Sequence, residues 1–142
     1  PGLREHHTTH GQHVAERVCG MLAMRGVVLA QARVLVLGAT FKENCPDLRN
    51  SRALELVQLL QAVGVRVDTC DPWADPGEAL QHASVQLCEA PDEGAYDAVV
   101  LAVAHAQYRG YDAERIAALG KPGAVVYDVK SVWPRAAVND RL

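Results

Sequence analysis

The sequence lacks the features of several protein classes, and these absences are the first constraint on its function. No apolar run approaches the roughly 20 residues that a membrane-spanning helix needs, and the opening PGLREHHTTHGQH contains no hydrophobic core of a signal peptide. The net charge of −3 argues against a nucleic-acid surface that works by bulk positive charge. We therefore expect a cytoplasmic protein that binds neither membranes nor nucleic acids.

The cysteine pattern and the first residue add two further expectations. Cys19, Cys45, Cys70 and Cys88 form no CxxC pair and lie far apart, which excludes metal-cluster spacing. Without a secretion signal, free thiols are the expected state. The chain starts with Pro1 instead of methionine, so we expect it to be a fragment or a processed piece of a longer protein. Its 142 residues fit one domain and suffice to bury a core.

The stretch LVLGATFKENCPDLRNS, residues 35–51, lacks the glycines that cradle a dinucleotide. An apolar run ends at Gly38 and an amphipathic helix follows, as in a dinucleotide-binding unit. After this glycine the chain continues with ATFK, however, and not with a second and a third glycine. The turn therefore predicts a site of different chemistry, built from a phenylalanine, a lysine and an arginine.

Hydrophobic periodicity and turn signals predict strands and helices in alternation. Thr9 and Gln12 form a capping box for a first helix, which Gly26 ends. Later helices are predicted to begin at Asn50 or Ser51, at Asp75 and at Asp112. Strands are predicted in the five segments ARVLVLGAT, VRVDTCDP, VQLCE, YDAVVLAVAH and GAVVYDVK.

This order predicts an α/β fold in which a parallel sheet of about five strands carries helices on both faces, preceded by a connecting helix. Such sheets bind ligands at the carboxyl ends of their strands. The candidate site residues therefore lie in the loops that follow the strands, which are residues 40–49, 71–73, 105–108 and 128–132.

These loops resemble the UDP-glucose/GDP-mannose dehydrogenase family. LGATFKENCPDLRNS is similar to the family signature G-x-x-F-K-x-x-x-x-D-x-R-x-S, and its ENCPD centre resembles the branch that oxidises UDP-N-acetylhexosamines, such as UDP-N-acetylgalactosamine. DPWA, AYDAVVLAVAH and VVYDVKSVWPRAAVNDRL fit the same branch. The resemblance covers residues 11–142 and implies a C-terminal, Rossmann-like UDP-binding domain, with residues 1–10 as linker.

The resemblance also implies an activity for the parent protein. Family members are NAD-dependent enzymes that oxidise a UDP-hexose or UDP-N-acetylhexosamine to the UDP-uronic acid, here for bacterial capsule or O-antigen polysaccharide. They bind NAD mainly through an N-terminal domain, use a cysteine outside the present chain, and usually dimerise through the connecting helix. The expected partners are therefore a UDP-sugar, that N-terminal domain and a second copy, and the isolated chain is expected to be inactive.

Four residues receive roles from the resemblance. It places Phe41, Lys42 and Lys130 at the nucleotide sugar, and it turns Arg49 toward NAD. An ammonium group suits a phosphate or sugar oxygen, and a guanidinium can grip a pyrophosphate or ribose oxygen with two bonds. Many relatives have an arginine where Lys130 stands. The lysine keeps the positive charge but lacks the planar guanidinium that can donate two parallel hydrogen bonds. The alternative interpretation is an exposed surface, with Arg49 ion-paired to Asp47.

Three residues in the same loops are interpreted as structural. Cys45 precedes Pro46 and has no activating base evident in the sequence, so we do not assign it as a nucleophile. Asp47 is expected to order its loop. His105 ends a strand, where a histidine is more often structural than ligand-binding.

The N-terminal segment departs from the family pattern R-x-I-N-D-x-M-G-x-Y. His7 stands where relatives have asparagine, and His6 and His10 occupy apolar positions. His6, His10 and His13 could share a helical face and bind a metal, but a polar terminus is the interpretation we favour, with no metal site. This departure leaves a second function open: a diverged, non-catalytic α/β module for nucleotide binding or assembly.

Overall fold

The computed structural model describes residues 10–141, in which all strands lie parallel in one sheet of order β2-β1-β3-β4-β5. The α/β prediction with about five parallel strands is confirmed. No helix in this part of the chain is long and apolar enough to cross a membrane. The strands are β1 (Arg33–Leu37), β2 (Arg66–Cys70), β3 (Tyr96–Leu101), β4 (Gly120–Asp128) and β5 (Asp140–Arg141). The helices are α1 (His10–Met24), α2 (Arg52–Ala62), α3 (Pro76–Ala83), α4 (Ala106–Arg109) and α5 (Ala113–Leu119), with 3-10 turns at Leu29–Gln31 and Arg135–Ala137.

Apolar residues on the two faces of the sheet build two cores. Alternate residues of β1, such as Val34 and Leu35, are both fully buried but belong to different cores, because successive side chains of a strand point to opposite faces. One core packs the sheet against α1 and α2, and the other packs it against α4 and α5. The predicted cover of helices on both faces is therefore present.

The predicted helix ends agree with the structure wherever it describes them. Ser51 rather than Asn50 caps α2, because its Oγ accepts the Leu54 N–H at 3.1 Å. Asp75 and Asp112 cap α3 and α5 through their carboxylates. The chain leaves α1 at Gly26 in the left-handed region, with φ of 76°. The Thr9 cap and most of the predicted 1–10 linker lie outside the described residues, and that boundary stays a prediction.

The strand predicted at VQLCE is wrong. Only Leu87 of this segment makes a bridge, in parallel to Thr69, and the Cys88 N–H donates to the Thr69 carbonyl at 2.8 Å. The pairing ends there because Pro91, three residues on, has no N–H to extend a ladder. The fifth strand is instead the two-residue β5, next to β4 at the other edge of the sheet.

The close packing around Gly38 explains why the turn after β1 has a glycine at this one position. Its φ is 101°, and a Cβ added there would lie 2.8 Å from the backbone N of Val103 and 2.5 Å from the Val103 Cβ. The missing side chain therefore makes room for the segment that follows β3. Because that space is filled by protein, this turn does not offer the glycine cradle in which a dinucleotide pyrophosphate sits.

We expect Gly38→Ala to lower the free energy of unfolding by about 2–4 kcal/mol, because it adds strain at positive φ and a clash with backbone. Urea unfolding measures the loss. Gly20→Ala is the matched control: Gly20 lies within α1 with no atom near its added Cβ, so the same change should stabilise by about 0.5–1 kcal/mol. Equal effects of the two substitutions would contradict the packing role of Gly38.

Candidate ligand-binding site

The carboxyl ends of four strands meet at one edge of the sheet. Leu37 at the end of β1 pairs in register with Cys70 of β2 and with Leu101 of β3, and Leu101 pairs with Asp128 of β4. The loops predicted to carry the site therefore all leave the same edge. This common edge is where parallel α/β sheets bind ligands.

A cleft of about 230 Å³ opens at this edge and contains two of the predicted residues. Phe41, from the loop after β1, is 52% exposed, and Lys130 reaches the cleft from the loop after β4. Lys42 is exposed beside Phe41 but does not line the cleft. The full lining is His10, Thr40, Phe41, Arg52, Ala53, Ala102, Val103 and Lys130.

The cleft is electropositive. Arg52, from the first turn of α2, joins Lys130 on its wall, and neither residue forms a salt bridge within residues 10–141. Burial lowers the pKa of His10 on the same wall, and the charges of Arg52, Lys130 and His13 lower it further, against the opposing effect of Glu55. Cations without a salt-bridge partner among residues 10–141, around an apolar-floored cleft, favour an anionic ligand such as a phosphate group.

A buried aspartate fixes the loop that carries Lys130. The Asp128 carboxylate is fully buried and accepts four backbone N–H groups, all at 2.8–2.9 Å. Its Oδ1 accepts from Lys130 and Ser131, and its Oδ2 accepts from Val132 and Trp133. The backbone of Lys130 is therefore held in place while its side chain remains exposed.

Arg49 does not lie in this cleft. Its side chain is 86% exposed and makes a two-pronged ion pair with Asp47, at 3.0 and 3.1 Å. It borders a separate depression of about 610 Å³, whose wall also includes Ser51, Glu78 and His82. The ion pair anticipated from the sequence is thus present, and the Arg49 hydrogen bond is the main reason that the pKa of Asp47 is lowered.

Asp47 also orders its loop, as expected. Its Oδ1 accepts the Arg49 N–H at 2.9 Å, and its carbonyl accepts the Phe41 N–H at 2.7 Å. Cys45, in the same loop, is a half-buried free thiol, and the other three cysteines are free as well. Within the described part of the chain, no three His, Cys, Asp or Glu residues are arranged to hold a metal ion. His6 and His7 lie outside it.

Asp71 ties together the loops after β1 and β2. Its fully buried carboxylate accepts backbone N–H groups from Ala39 at 2.6 Å and from Trp73 at 2.6 Å, among others. Its Oδ2 also lies 2.8 Å from His105 Nε2. Burial alone would raise the pKa of Asp71, but the His105 and backbone hydrogen bonds outweigh it and lower the pKa overall.

Sequence reasoning undervalued His105 and missed Arg52. His105 is fully buried at the centre of the strand-end loops, so it is structural as interpreted, yet it contacts the loop that carries Phe41. A signal was present in the sequence: Asp71 and His105 each follow a predicted strand, and such positions meet at one edge. Arg52 had no comparable signal, because its place on the cleft follows from the direction of the first turn of α2.

We expect an acid-dependent loss of stability that involves Asp71. Because its folded pKa lies below the unfolded value of about 3.9, ionised Asp71 contributes stability at neutral pH. That contribution is lost as the pH falls through the folded value. Asp71→Asn should therefore be less stable at pH 7 and should lose less stability on acidification than the wild type. Urea unfolding at several pH values tests this, and parallel curves for the two proteins would contradict it.

A parallel α/β sheet with a cationic cleft at its carboxyl edge defines a nucleotide-binding domain of the doubly wound class. The chain belongs to the UDP-glucose/GDP-mannose dehydrogenase family, since the family model of its UDP-binding domain matches residues 35–135. The family expected from the sequence is thereby confirmed.

Relatives of known name agree with this membership. The chain is 39% identical over 120 residues to a UDP-N-acetyl-D-glucosamine 6-dehydrogenase of Pseudomonas aeruginosa, which covers 84% of the chain and 28% of the relative. It is 34% identical over 121 residues to Protein CapL of Staphylococcus aureus, which covers 85% of the chain and 28% of the relative. The chain therefore spans less than a third of the length of either protein.

Solved structures show the same fold. A UDP-glucose dehydrogenase from Pyrobaculum islandicum matches with a TM-score of 0.67 and 30% identity, over 91% of this chain and 29% of that one. A UDP-D-ManNAc dehydrogenase from Pyrococcus horikoshii matches with a TM-score of 0.70 over the same shares, at 24% identity. The second likeness concerns the fold alone.

Proposed function

We propose that this chain is the nucleotide-sugar-binding domain of an NAD-dependent UDP-sugar 6-dehydrogenase. The parent enzyme would oxidise a UDP-hexose or UDP-N-acetylhexosamine to the UDP-uronic acid in the cytoplasm, for capsule or O-antigen polysaccharide. The single observation that carries the proposal is the cationic cleft lined by Phe41, Arg52 and Lys130, in a chain of this family. The relatives named as UDP-N-acetyl-D-glucosamine 6-dehydrogenases support the substrate class.

The residues have distinct roles in this proposal. Lys130 and Arg52 face the diphosphate of the nucleotide, because that group carries the charge that a cationic cleft selects. Phe41 offers an apolar face to the base or the sugar, and Lys42 beside it supplies three donors for a phosphate or sugar oxygen. Arg49, in its separate depression, points to NAD across the domain boundary.

NAD would be held mainly by a domain outside this chain. The turn after β1 contains one glycine, and the space beside Gly38 is occupied by Val103, so this turn does not fit a dinucleotide pyrophosphate. In the parent enzyme, NAD would be the hydride acceptor, with two NAD consumed in the two successive two-electron oxidations that turn the sugar alcohol into the acid. The present chain binds the UDP-sugar, and Arg49 is its contact toward the cofactor. A homodimer of the parent remains part of the proposal.

Calorimetric titration of the 142-residue chain tests the proposal. We expect UDP to bind saturably at one site and to raise the melting temperature, because a ligand that binds only the folded state stabilises it. Uridine, which lacks the phosphates, should bind far more weakly, and NAD should not bind comparably. The chain alone should form no NADH from a UDP-sugar and NAD. Failure of UDP to bind, or uridine binding as tightly as UDP, would contradict the proposal.

The second candidate function is a diverged, non-catalytic nucleotide-binding or assembly module. The histidines that replace the apolar and asparagine positions of the family pattern favour it. The upstream sequence of the parent decides between the two candidates. A G-x-G-x-x-G strand-turn-helix together with a catalytic cysteine would support the dehydrogenase, and the absence of both would support the module.

A further inference from the structure

The two ring nitrogens of His105 have different partners, and the difference fixes where the ring proton lies. His105 Nδ1 is 2.9 Å from the backbone nitrogen of Asn44, which can only donate a hydrogen bond. Nδ1 must therefore be an unprotonated acceptor. The proton lies on Nε2, which is 2.8 Å from the Asp71 carboxylate and 3.2 Å from Thr40 Oγ1. His105 is thus a neutral imidazole in one defined tautomer.

The side chain of Asn44 forms a second hydrogen bond, to the residue that follows His105. Its side-chain Oδ1 accepts the backbone N–H of Ala106, at the start of α4, at 2.9 Å. Two bonds of opposite direction thus join the loop after β1 to the segment after β3. Asn44 holds a left-handed conformation with φ of 56°, which costs energy for a residue with a side chain and needs such support.

These bonds fix both ends of the short segment that contains Phe41 and Lys42. Thr40 is held by the Asp71 carboxylate through its N–H and donates from Oγ1 to the Lys42 carbonyl at 2.9 Å. Asn44 is held by His105. Between these anchors, the side chain of Lys42 is exposed and that of Phe41 is 52% exposed, so the backbone of the segment largely sets where both lie.

We propose that His105 is a positioning residue for ligand binding: its Nδ1 acceptor, with the Nε2 proton directed to Asp71, holds the 40–44 segment so that Phe41 and Lys42 are set for the nucleotide sugar. The inference rests on the proposed function, in which these two side chains contact the ligand. It predicts that affinity depends on the acceptor at Nδ1, whereas stability depends mainly on the donor at Nε2. The two nitrogens can be tested separately because amide side chains of different length mimic them.

His105→Asn places an amide oxygen near the position of Nδ1, and His105→Gln places an amide nitrogen near the position of Nε2. His105→Asn keeps an acceptor for Asn44 and loses the Asp71 contact, so its melting temperature should fall while its UDP affinity stays within about twofold of wild type. His105→Gln keeps the Asp71 contact and loses the acceptor, so it should melt closer to wild type yet bind UDP about tenfold more weakly. A merely structural histidine would give affinities that fall in proportion to stability.

Asn44→Gly provides a test that leaves the buried network intact. Asn44 is exposed, and glycine adopts its φ of 56° without strain, so only the bond from Ala106 is removed. We expect an unchanged melting temperature and a severalfold weaker UDP affinity. Hydrogen exchange at the Asn44 amide gives a readout without ligand, and it should be fast in His105→Gln and slow in His105→Asn.

The outcomes separate the inference from the function on which it rests. If the wild type binds UDP and His105→Gln keeps its affinity, the inference is overturned while the proposed function stands, whatever the result for Asn44→Gly. If UDP affinity follows melting temperature in both histidine variants, His105 is merely structural and the inference is also overturned. If the wild type does not bind UDP, the proposed function fails and takes the inference with it.

Discussion

Replacing Asp128 by alanine is expected to lower the free energy of unfolding by about 3 kcal/mol, one of the largest effects of any single substitution in this domain. The carboxylate is fully buried and accepts four backbone N–H groups. Truncation leaves these donors without a partner, and a buried unpaired donor is costly. The same variant should lose UDP affinity, because the released loop carries Lys130. Urea unfolding and calorimetric titration measure the two effects.

Asp112→Ala is the matched control for this prediction. Asp112 is exposed, and among residues 10–141 its carboxylate accepts only the Arg115 N–H, as the cap of α5. Its loss should cost about 1 kcal/mol and should not change UDP affinity. If Asp128→Ala costs no more than Asp112→Ala, the loop after β4 is not held by Asp128 and this explanation of how Lys130 is presented is wrong.

Lys130→Glu is expected to weaken UDP binding by about 100-fold, which is about 2.7 kcal/mol. The change removes a cation that forms a charged hydrogen bond to phosphate and puts a repelling carboxylate in its place. Stability should change little, because the side chain is exposed and forms no salt bridge within residues 10–141. Added salt should weaken binding to the wild type more than binding to the variant.

Arg66→Glu controls for the change in net charge. Arg66 is exposed and is the first residue of β2, so it lies at the amino ends of the strands, whereas the cleft lies at their carboxyl ends. Its reversal changes the total charge by the same amount without touching the proposed site. Comparable losses of affinity in Lys130→Glu and Arg66→Glu would mean that UDP responds to the overall charge of the domain and that the cleft is not its binding site.

The sequence predicted those parts of the fold that have a local physical signal. Continuous apolar runs marked β1 and β3 because both faces of these strands are covered, and Ser51, Asp75 and Asp112 marked helix starts because their side chains cap them. β5 had no such signal. It contains two residues, and its approach depends on Asn139, which exchanges hydrogen bonds with the backbone of Val126, 13 residues earlier in the chain.

The site was predicted in part for the same reason. The family resemblance pointed to Phe41 and Lys130, which both line the cleft, and to Arg49 as a contact toward NAD, which borders a separate depression. The place of Arg52 on the cleft and the contacts of His105 could not be derived from the sequence. One depends on the direction in which a helix begins, and the other on three loops that are distant in sequence and meet only in the folded sheet.

The central claim is that UDP binds in the cleft at the carboxyl edge of the sheet. Amide chemical-shift mapping of the labelled 142-residue chain during a UDP titration tests it most directly. The account predicts the largest shifts at Thr40, Phe41, Val103 and Lys130, which line the cleft. Shifts confined to the depression around Arg49 and His82, or the absence of any saturable change, would contradict it.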